Sequence, residues 1–235
     1  MATALDCTSV ELHRVIDAWQ AGPRPAGPTP RDVTLWALHQ QRLFLKLTYD
    51  RELGRRARPL LSEEARDTLD ARRRLVELTP PTTLPLSAFR TGPALPARAL
   101  LRHYREAERR FGVAWEVLAA VNFVETGFNR LRSRSSAGAQ GPMQFLPATW
   151  RAYGLGGDIH DPHDAILGAA NYLRASGAAR DVRRALYAYN HSTRYVDAVV
   201  RFAAQMQREQ RLYFAYHSWQ VFIKTPAGPR RITGP

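Results

Sequence analysis

The sequence is poor in cysteine and in long apolar runs, and each shortage excludes a class of protein. Cys7 is the single cysteine among 235 residues, so no disulfide within the chain can form. No stretch of eighteen or more apolar residues occurs, so we expect no transmembrane segment. The amino terminus also lacks the charged-then-apolar pattern of a secretion signal. With 45% hydrophobic and 23% charged residues, the composition is that of a globular protein.

Acidic residues are in deficit. The chain has 34 Lys and Arg against 21 Asp and Glu, a formal net charge of +13, and nearly all of the positive charge is arginine. Such a surface attracts polyanions, and nucleic acid is one candidate. The basic residues are spread along the chain, and no nucleic-acid-binding motif is present. We therefore expect no nucleic-acid partner, although a basic helical nucleic-acid-binding protein stays open as an alternative.

Clusters of proline divide the chain into four parts: an N-terminal helical region (1–78), a Pro-rich linker (79–97), a central region (98–210) and a C-terminal tail (211–235). The predicted fold class is mainly α. In the first part, residues 8–20 are predicted to be helical, and two further helices are predicted over Asp32–Glu52 and Ser62–Leu78, capped by Asp32 and Ser62. Their broad apolar faces predict a hairpin packed on the central region.

The tail differs in composition from the rest of the chain. Residues 213–225 are rich in aromatic and β-branched side chains, and residues 226–229, Pro-Ala-Gly-Pro, form a turn signal before residues 230–233. This pattern predicts a short β-hairpin appended to a helical protein.

One helix of the central region, Val113–Thr126, is nearly uncharged and apolar on all sides, which predicts burial. Gly127 is a stop signal. Glu116 lies in the first turn, where the helix dipole favours a carboxylate. Glu125 lies in the last turn, where burial and the dipole both raise the pKa of a carboxyl, and this makes Glu125 a candidate general acid.

An alternative is open for Glu125. The side chain could form a structural ion pair with Arg130 or Arg132, which follow closely in the chain. Such a pair would hold the carboxyl ionised and would remove it from acid catalysis.

A segment dense in small residues follows the helix, over residues 135–145. Glycines let a ligand approach the backbone closely, while a few polar groups fix its orientation. A short helix over Pro147–Tyr153 is predicted next, because Pro stands in its first turn and Gly154 follows it.

Three motifs occur in order: Glu125-Thr126, then Ser135 with Gly138-Ala139 and Gly141-Pro142-Met143-Gln144, then Ala188-Tyr189-Asn190. Over residues 98–210 the chain thereby resembles the lytic transglycosylases of the soluble type, which are relatives of goose-type lysozyme. Two positions depart from the pattern: Thr126 stands where the family usually has Ser, and His191-Ser192 follow the last motif where small residues are usual. The resemblance implies a lysozyme-like catalytic domain.

The resemblance also implies an activity, which is cleavage of the β-1,4 bond between N-acetylmuramic acid and N-acetylglucosamine in peptidoglycan, with a 1,6-anhydromuramyl product. Glu125 would act as acid and then as base, without a metal or other cofactor. Ser135 and Gln144 would contact polar groups of the substrate, and Met143 would line the groove. Tyr189 and Asn190 would hold the reacting sugar, although the helical spacing around Tyr189 is equally typical of core packing. The substrate-binding residues expected from the motifs are Ser135, Gly138, Gly141, Met143, Gln144, Tyr189 and Asn190.

The family's substrate places the protein outside the cytoplasm, so a signal has been removed or export follows another route. Glycan strands of peptidoglycan are the expected partner, with anionic wall polymers as a further one, and we expect a monomer. A wall-binding module without catalytic activity is a further alternative.

Other groups of polar residues suggest weaker alternatives. Asp158 or Asp161 could position a hydrolytic water, as a lysozyme requires. His160 and His163 are close together, but a zinc site needs further ligands, so no metal site is predicted. His191-Ser192 lacks the surroundings of a nucleophile. Instead, Ser192 or Thr193 is expected to cap a helix over Arg194–Glu209.

Overall fold

The computed structural model describes residues 1–235 and is mainly helical, as the sequence predicts. Eleven helices precede one antiparallel hairpin of two strands: α1 Ala2–Ala21, α2 Arg31–Tyr49, α3 Arg51–Ala57, α4 Glu63–Leu78, α5 Ala97–Phe111, α6 Trp115–Thr126, α7 Pro147–Tyr153, α8 Pro162–Ala175, α9 Val182–Tyr189, α10 Thr193–Arg208, α11 Arg211–Ser218, β1 Phe222–Thr225 and β2 Gly228–Arg231.

The N-terminal helices pack on the rest of the chain. A single cluster of 50 buried hydrophobic side chains runs from Leu5 in α1 to Trp219 after α11, so the two parts share one core. Buried hydrogen bonds reinforce the contact, since the side chain of Gln41 in α2 both donates to and accepts from the backbone of Gln220. The prediction of packing is therefore confirmed.

Capping side chains explain several helix starts. The side chains of Ser62, Asp161 and Ser192 each accept a hydrogen bond from a backbone amide in the first turn of α4, α8 and α10. These side chains satisfy amides that have no partner within the helix. The predicted caps Ser62 and Ser192 are confirmed.

The predicted helix over 32–52 requires a correction. Helix α2 begins after Pro30, and the side chain of Asp32 does not cap it. The helix ends at Tyr49, because Asp50 leaves the helical conformation and its side chain accepts a hydrogen bond from the amide of Leu53 to start α3. A strong capping residue therefore divides what the periodicity presented as one helix.

Helix α6 lies at the centre of the molecule, as its apolar sequence predicts. Residues 117–122 are all buried, and α6 packs between α5 and α10. Phe123 contacts Phe202 of α10 and Tyr216 of α11 through its ring. Phe123 is itself partly buried, and these ring contacts join α6 to the shared core.

The Pro-rich segment is fastened at both ends. Its amide at Thr82 donates to Lys224 of β1, and its amide at Gly92 donates to the carbonyl of Arg130 beyond α6. Lys224 in turn donates through Nζ to the carbonyls of Val76 and Thr79. Hydrogen bonds thus join the β-hairpin to the start of the Pro-rich segment.

The predicted strand over 213–225 is only partly right. The hairpin pairs Phe222–Thr225 with Gly228–Arg231, but residues 213–218 belong to helix α11. Tyr213 and Tyr216 are buried there, and Tyr213 donates through its hydroxyl to the carbonyl of Ala97. Packing against the core therefore overrides the β-propensity of the aromatic residues.

The prediction that the chain has no transmembrane segment agrees with the helices observed, since each is too short or too polar to span a bilayer.

Candidate active site

Helix α6 places Glu125 in its last turn, and the chain then reverses sharply. Gly127 ends the helix in the left-handed conformation with φ of 58°, and its amide donates to the carbonyl of Phe123. Phe128 and Asn129 also have positive φ. Because the negative end of the helix dipole lies here, a carboxylate at Glu125 is disfavoured.

Glu125 has no charged partner. It is half-buried and forms no ion pair or side-chain hydrogen bond within the protein. Arg130 instead donates to the carbonyl of Gly127 and Arg132 to the carbonyl of Pro93, so the ion-pair alternative is wrong. The Glu125 carboxyl is therefore not engaged by an arginine.

Burial raises the pKa of Glu125 to about 7, and the neighbouring Tyr195 hydroxyl opposes this rise only in part. That hydroxyl is buried next to the carboxyl, yet the two groups do not meet the geometry of a hydrogen bond. The pKa values of Tyr189 and Tyr195 are raised well above 10, first by burial and next by the charge of Glu125. Two neutral phenols and one carboxyl with a pKa near neutrality therefore share this site.

The segment over residues 135–145 is a compact loop. Gln140 and Phe145 exchange backbone hydrogen bonds of 3.0 and 2.9 Å. Gly141 has φ of +78°, and a Cβ there would lie 1.9 Å from the carbonyl oxygen of Ile159. Gly138 has φ of +83° with open space around it. Glycine is thus required at 141 by both the backbone conformation and close packing, and at 138 by the backbone conformation alone.

A buried polar network fastens this loop to α6. The carbonyl of Pro142 accepts from the side-chain amide of Asn122 at 2.8 Å and from the hydroxyl of Thr126 at 2.7 Å. Asn122 in turn accepts from the hydroxyl of Tyr104 at 2.6 Å. Thr126, which departs from the family pattern, thus supplies the hydroxyl that holds the loop.

The same loop is held from a second side. The hydroxyl of Tyr189, in the last turn of α9, donates to the carbonyl of Met143 at 2.6 Å. The Met143 side chain is 0% exposed and belongs to the core. Our expectation that the Met143 side chain lines a groove does not fit this burial, because packing against the core uses its entire surface.

The remaining predicted residues lie at or near the surface. Ser135 is exposed, and its hydroxyl oxygen accepts from the amide of Ala139, so it stabilises the turn. Gln144 has φ of +49°, an unusual value for this residue type, and donates to the carbonyl of Gly141. Asn190 is half-buried, and its side chain forms no hydrogen bond within the protein.

Sequence reasoning missed three residues of this region. Tyr195 lies in the first turn of α10, where its sequence neighbourhood indicates only a buried position. Asn122 was detectable as the one strongly polar residue inside the apolar part of α6, a turn before Thr126. Tyr104 carries no local signal, since its partner Asn122 is 18 residues away.

The residues behind the weaker alternatives make structural contacts. Asp158 accepts through its side chain from the amide of His160, and Asp161 from the amide of Asp164. Ser192 accepts from the amide of Tyr195 as a helix cap, and the ring of His191 contacts Tyr187. These contacts favour neither a second catalytic carboxylate nor a serine nucleophile.

A separate cavity of about 500 Å³ lies between the Pro-rich segment and the C-terminal tail. Its lining includes Thr91, Arg130 and His217 but none of the predicted site residues. Only 3 of its 16 lining residues are hydrophobic, so the apolar wall typical of a small-molecule pocket is missing.

Comparison with known proteins identifies relatives of the central part of the chain. Residues 102–212 match the family model of the transglycosylase SLT domain. The chain is 31% identical over 112 residues to the membrane-bound lytic murein transglycosylase F of Thiobacillus denitrificans. The match covers 44% of this chain and 23% of the relative, so the chain spans about a quarter of that protein. No solved structure matches the chain significantly. Residues 102–212 thus form a domain of the transglycosylase SLT family.

Proposed function

We propose that the protein is a peptidoglycan lytic transglycosylase that breaks the β-1,4 bond between N-acetylmuramic acid and N-acetylglucosamine and forms a 1,6-anhydromuramyl end. One observation carries the proposal: Glu125 is half-buried without a charged partner, and its pKa is raised to about 7. Such a carboxyl is still partly protonated near neutral pH, so it can both give up a proton and take one back.

In the first step the protonated Glu125 donates its proton to the glycosidic oxygen as the bond to the anomeric carbon breaks. The bond electrons leave with the oxygen, and the positive charge that develops on the muramyl ring is stabilised by the sugar's own N-acetyl group. A neutral acid is required because an ionised carboxylate has no proton to give.

In the second step the ionised Glu125 accepts the proton of the C6 hydroxyl of the same sugar. The C6 oxygen then bonds to the anomeric carbon, and Glu125 returns to its protonated form. No water enters, so no second carboxylate is needed to activate one. The positions of Asp158 and Asp161 agree with such a mechanism, because their carboxylates accept hydrogen bonds from backbone amides near the start of α8.

The surrounding residues receive roles that support these steps. Tyr195 faces the carboxyl with a buried hydroxyl, and Tyr189 holds the Met143 carbonyl, so both phenols shape the environment of Glu125. Asn190 has a free amide for the reacting sugar. Ser135 and Gln144 contact polar groups of the glycan, while Gly138 and Gly141 keep the loop backbone accessible.

The setting follows from the substrate. We place the protein outside the cytoplasm as a secreted bacterial monomer that works on glycan strands. The net charge of +13 favours approach to a wall that carries anionic polymers.

The chemical nature of the product tests the proposal. The purified protein is incubated with peptidoglycan, and the soluble fragments are identified by mass spectrometry. Anhydro ends, one water lighter than reducing ends, are the expected result. Reducing ends would contradict it in favour of a lysozyme-type hydrolase, and an unchanged polymer would indicate a wall-binding module or another function.

A further inference from the structure

We propose that His103, Glu106 and His163 form a binding site for a divalent transition metal, of which Zn²⁺ is the model ion, and that the metal joins helix α5 to the start of helix α8. One ligand atom from each of these residues lies within 4.8 Å of the other two. The site does not depend on the proposed enzymatic activity.

The sequence hides this site because its ligands come from two distant segments. His103 and Glu106 are three residues apart in α5 and therefore lie on the same face of that helix. His163 lies in the first turn of α8, which packs on α5. The two histidines near each other in sequence, His160 and His163, do not both contribute, since His160 is no member of the group.

The side chains already point at one another. Nε2 of His163 lies 3.2 Å from Oε1 of Glu106, and the rings of His103 and His163 have centroids 4.9 Å apart. Ligand atoms of a tetrahedral zinc site are ~3.4 Å apart, given bonds of about 2.1 Å. The side chains of His163 and Glu106 are 36% and 47% exposed, so small rotations bring the group into coordination.

The surroundings of His163 match a metal ligand. Its Nδ1 lies 3.5 Å from Oδ1 of Asp164, while its Nε2 lies on the side of Glu106. A carboxylate behind the imidazole fixes the ring orientation and raises its basicity, as in many metal sites. Asp164 is itself held, because its other oxygen accepts from the amide of Asp158 at 2.9 Å.

The ligand set selects the class of metal. Two imidazoles and one carboxylate suit Zn²⁺, Co²⁺, Ni²⁺ or Cu²⁺ better than Mg²⁺ or Ca²⁺, which prefer oxygen ligands. With three protein ligands, the fourth position is left to water. The second possible group, Asp161 with His163 and Asp164, offers one imidazole only, and both carboxylates already accept backbone hydrogen bonds.

A metal here would act on the active-site loop through the backbone. His163 lies four residues beyond Ile159, whose carbonyl oxygen occupies the space that a side chain at Gly141 would need. Fixing the start of α8 on α5 therefore also fixes the surface against which the loop turns.

Binding is tested on the full chain without a polyhistidine tag, by titration calorimetry with Zn²⁺ and by the visible absorption of the Co²⁺ complex. We expect one bound ion per chain, a tetrahedral Co²⁺ spectrum and a rise in Tm with added Zn²⁺. His103→Gln, Glu106→Gln and His163→Gln should each weaken Zn²⁺ affinity at least about tenfold, and Asp164→Asn by roughly 10–100-fold.

His160→Gln is the matched control, since it removes a nearby histidine outside the group, and it should bind Zn²⁺ like the unchanged protein. If His103 is not a ligand, His103→Gln would bind Zn²⁺ like the unchanged protein. That result, an equal loss in His160→Gln, or the absence of Zn²⁺ binding to the unchanged protein would overturn the proposal. Unfolding without metal checks that each variant is folded.

Discussion

Asn122 and Glu125 lie one turn apart on helix α6, but their polar groups have opposite situations. Asn122 is fully buried, and its side chain bonds to Tyr104, Thr126 and the Pro142 carbonyl. Glu125 has no hydrogen bond or ion pair within the protein. Asn122 uses its hydrogen-bonding capacity within the fold, whereas that of Glu125 is unused within the protein. The comparison sets a structural polar group beside the candidate acid on the same helix.

The largest effect is expected when the reactive group is removed. Glu125→Gln keeps the size of the side chain but has no acidic proton, so kcat/KM on peptidoglycan should fall by about 10²–10⁴-fold or more. Release of soluble fragments measures it. Circular dichroism should be unchanged. If cleavage survives the substitution, the assignment of the acid is wrong.

Removing the structural group should affect stability instead. Asn122→Ala leaves the buried hydroxyl of Tyr104 without its acceptor and withdraws a donor from the Pro142 carbonyl, so we expect a loss of about 2–4 kcal/mol in the free energy of unfolding. Urea denaturation measures the change.

Asn190→Ala is the matched control for Asn122→Ala, because the Asn190 side chain has no partner within the protein. Its free energy of unfolding should change by less than about 0.5 kcal/mol. Equal losses in the two variants would remove the distinction between the two kinds of asparagine.

The candidate acid Glu125 should also lower the free energy of unfolding as the pH rises. Burial raises the pKa of Glu125 from 4.5 to about 7, so the folded protein keeps a proton that the unfolded chain loses. The contribution of this group to stability is therefore highest below pH 4.5 and falls as the pH rises to 7, by about 3 kcal/mol in total.

Glu125→Gln removes this loss. The variant should gain stability relative to the unchanged protein between pH 4.5 and 7, and the gain should stay constant at higher pH. Urea denaturation across this range measures it, with the exposed Glu63→Gln as control. A difference between Glu125→Gln and the unchanged protein that does not vary with pH would count against a buried, neutral carboxyl.

The smallest expected effect is a difference in stability between substitutions of the two loop glycines, Gly141 and Gly138. Gly141→Ala should destabilise the protein by at least about 1 kcal/mol more than Gly138→Ala, because only the former also forces a Cβ against the carbonyl of Ile159. Thermal unfolding of both variants measures the difference. Equal changes in Tm would mean that the loop does not pack on Ile159 as described.

Signals that act within a few residues were readable from the sequence. Helix α7 has the predicted bounds, and Ser192 caps α10 as expected, because a proline, a glycine or a capping side chain acts on adjacent backbone. The candidate acid Glu125 was also identified, since an apolar helix with one terminal carboxyl is a local pattern.

Features that depend on tertiary contacts were not readable. Tyr195 approaches Glu125 and Asn122 bonds to Pro142, although these pairs are 70 and 20 positions apart. The burial of Met143 depends on the packing of the whole core. The same holds for His103 and His163, which are brought together only by the packing of α5 on α8. No sequence pattern specifies these distances.

The protonation state of Glu125 is the centre of the account, and carbon NMR measures it directly. The side-chain carboxyl carbon of Glu125 is assigned by comparing labelled protein with Glu125→Gln, and its chemical shift is followed with pH. We predict a midpoint of about 7 for this carbon. A midpoint at or below 4.5, the ordinary value for a glutamate, would contradict the proposal that this side chain is the proton donor.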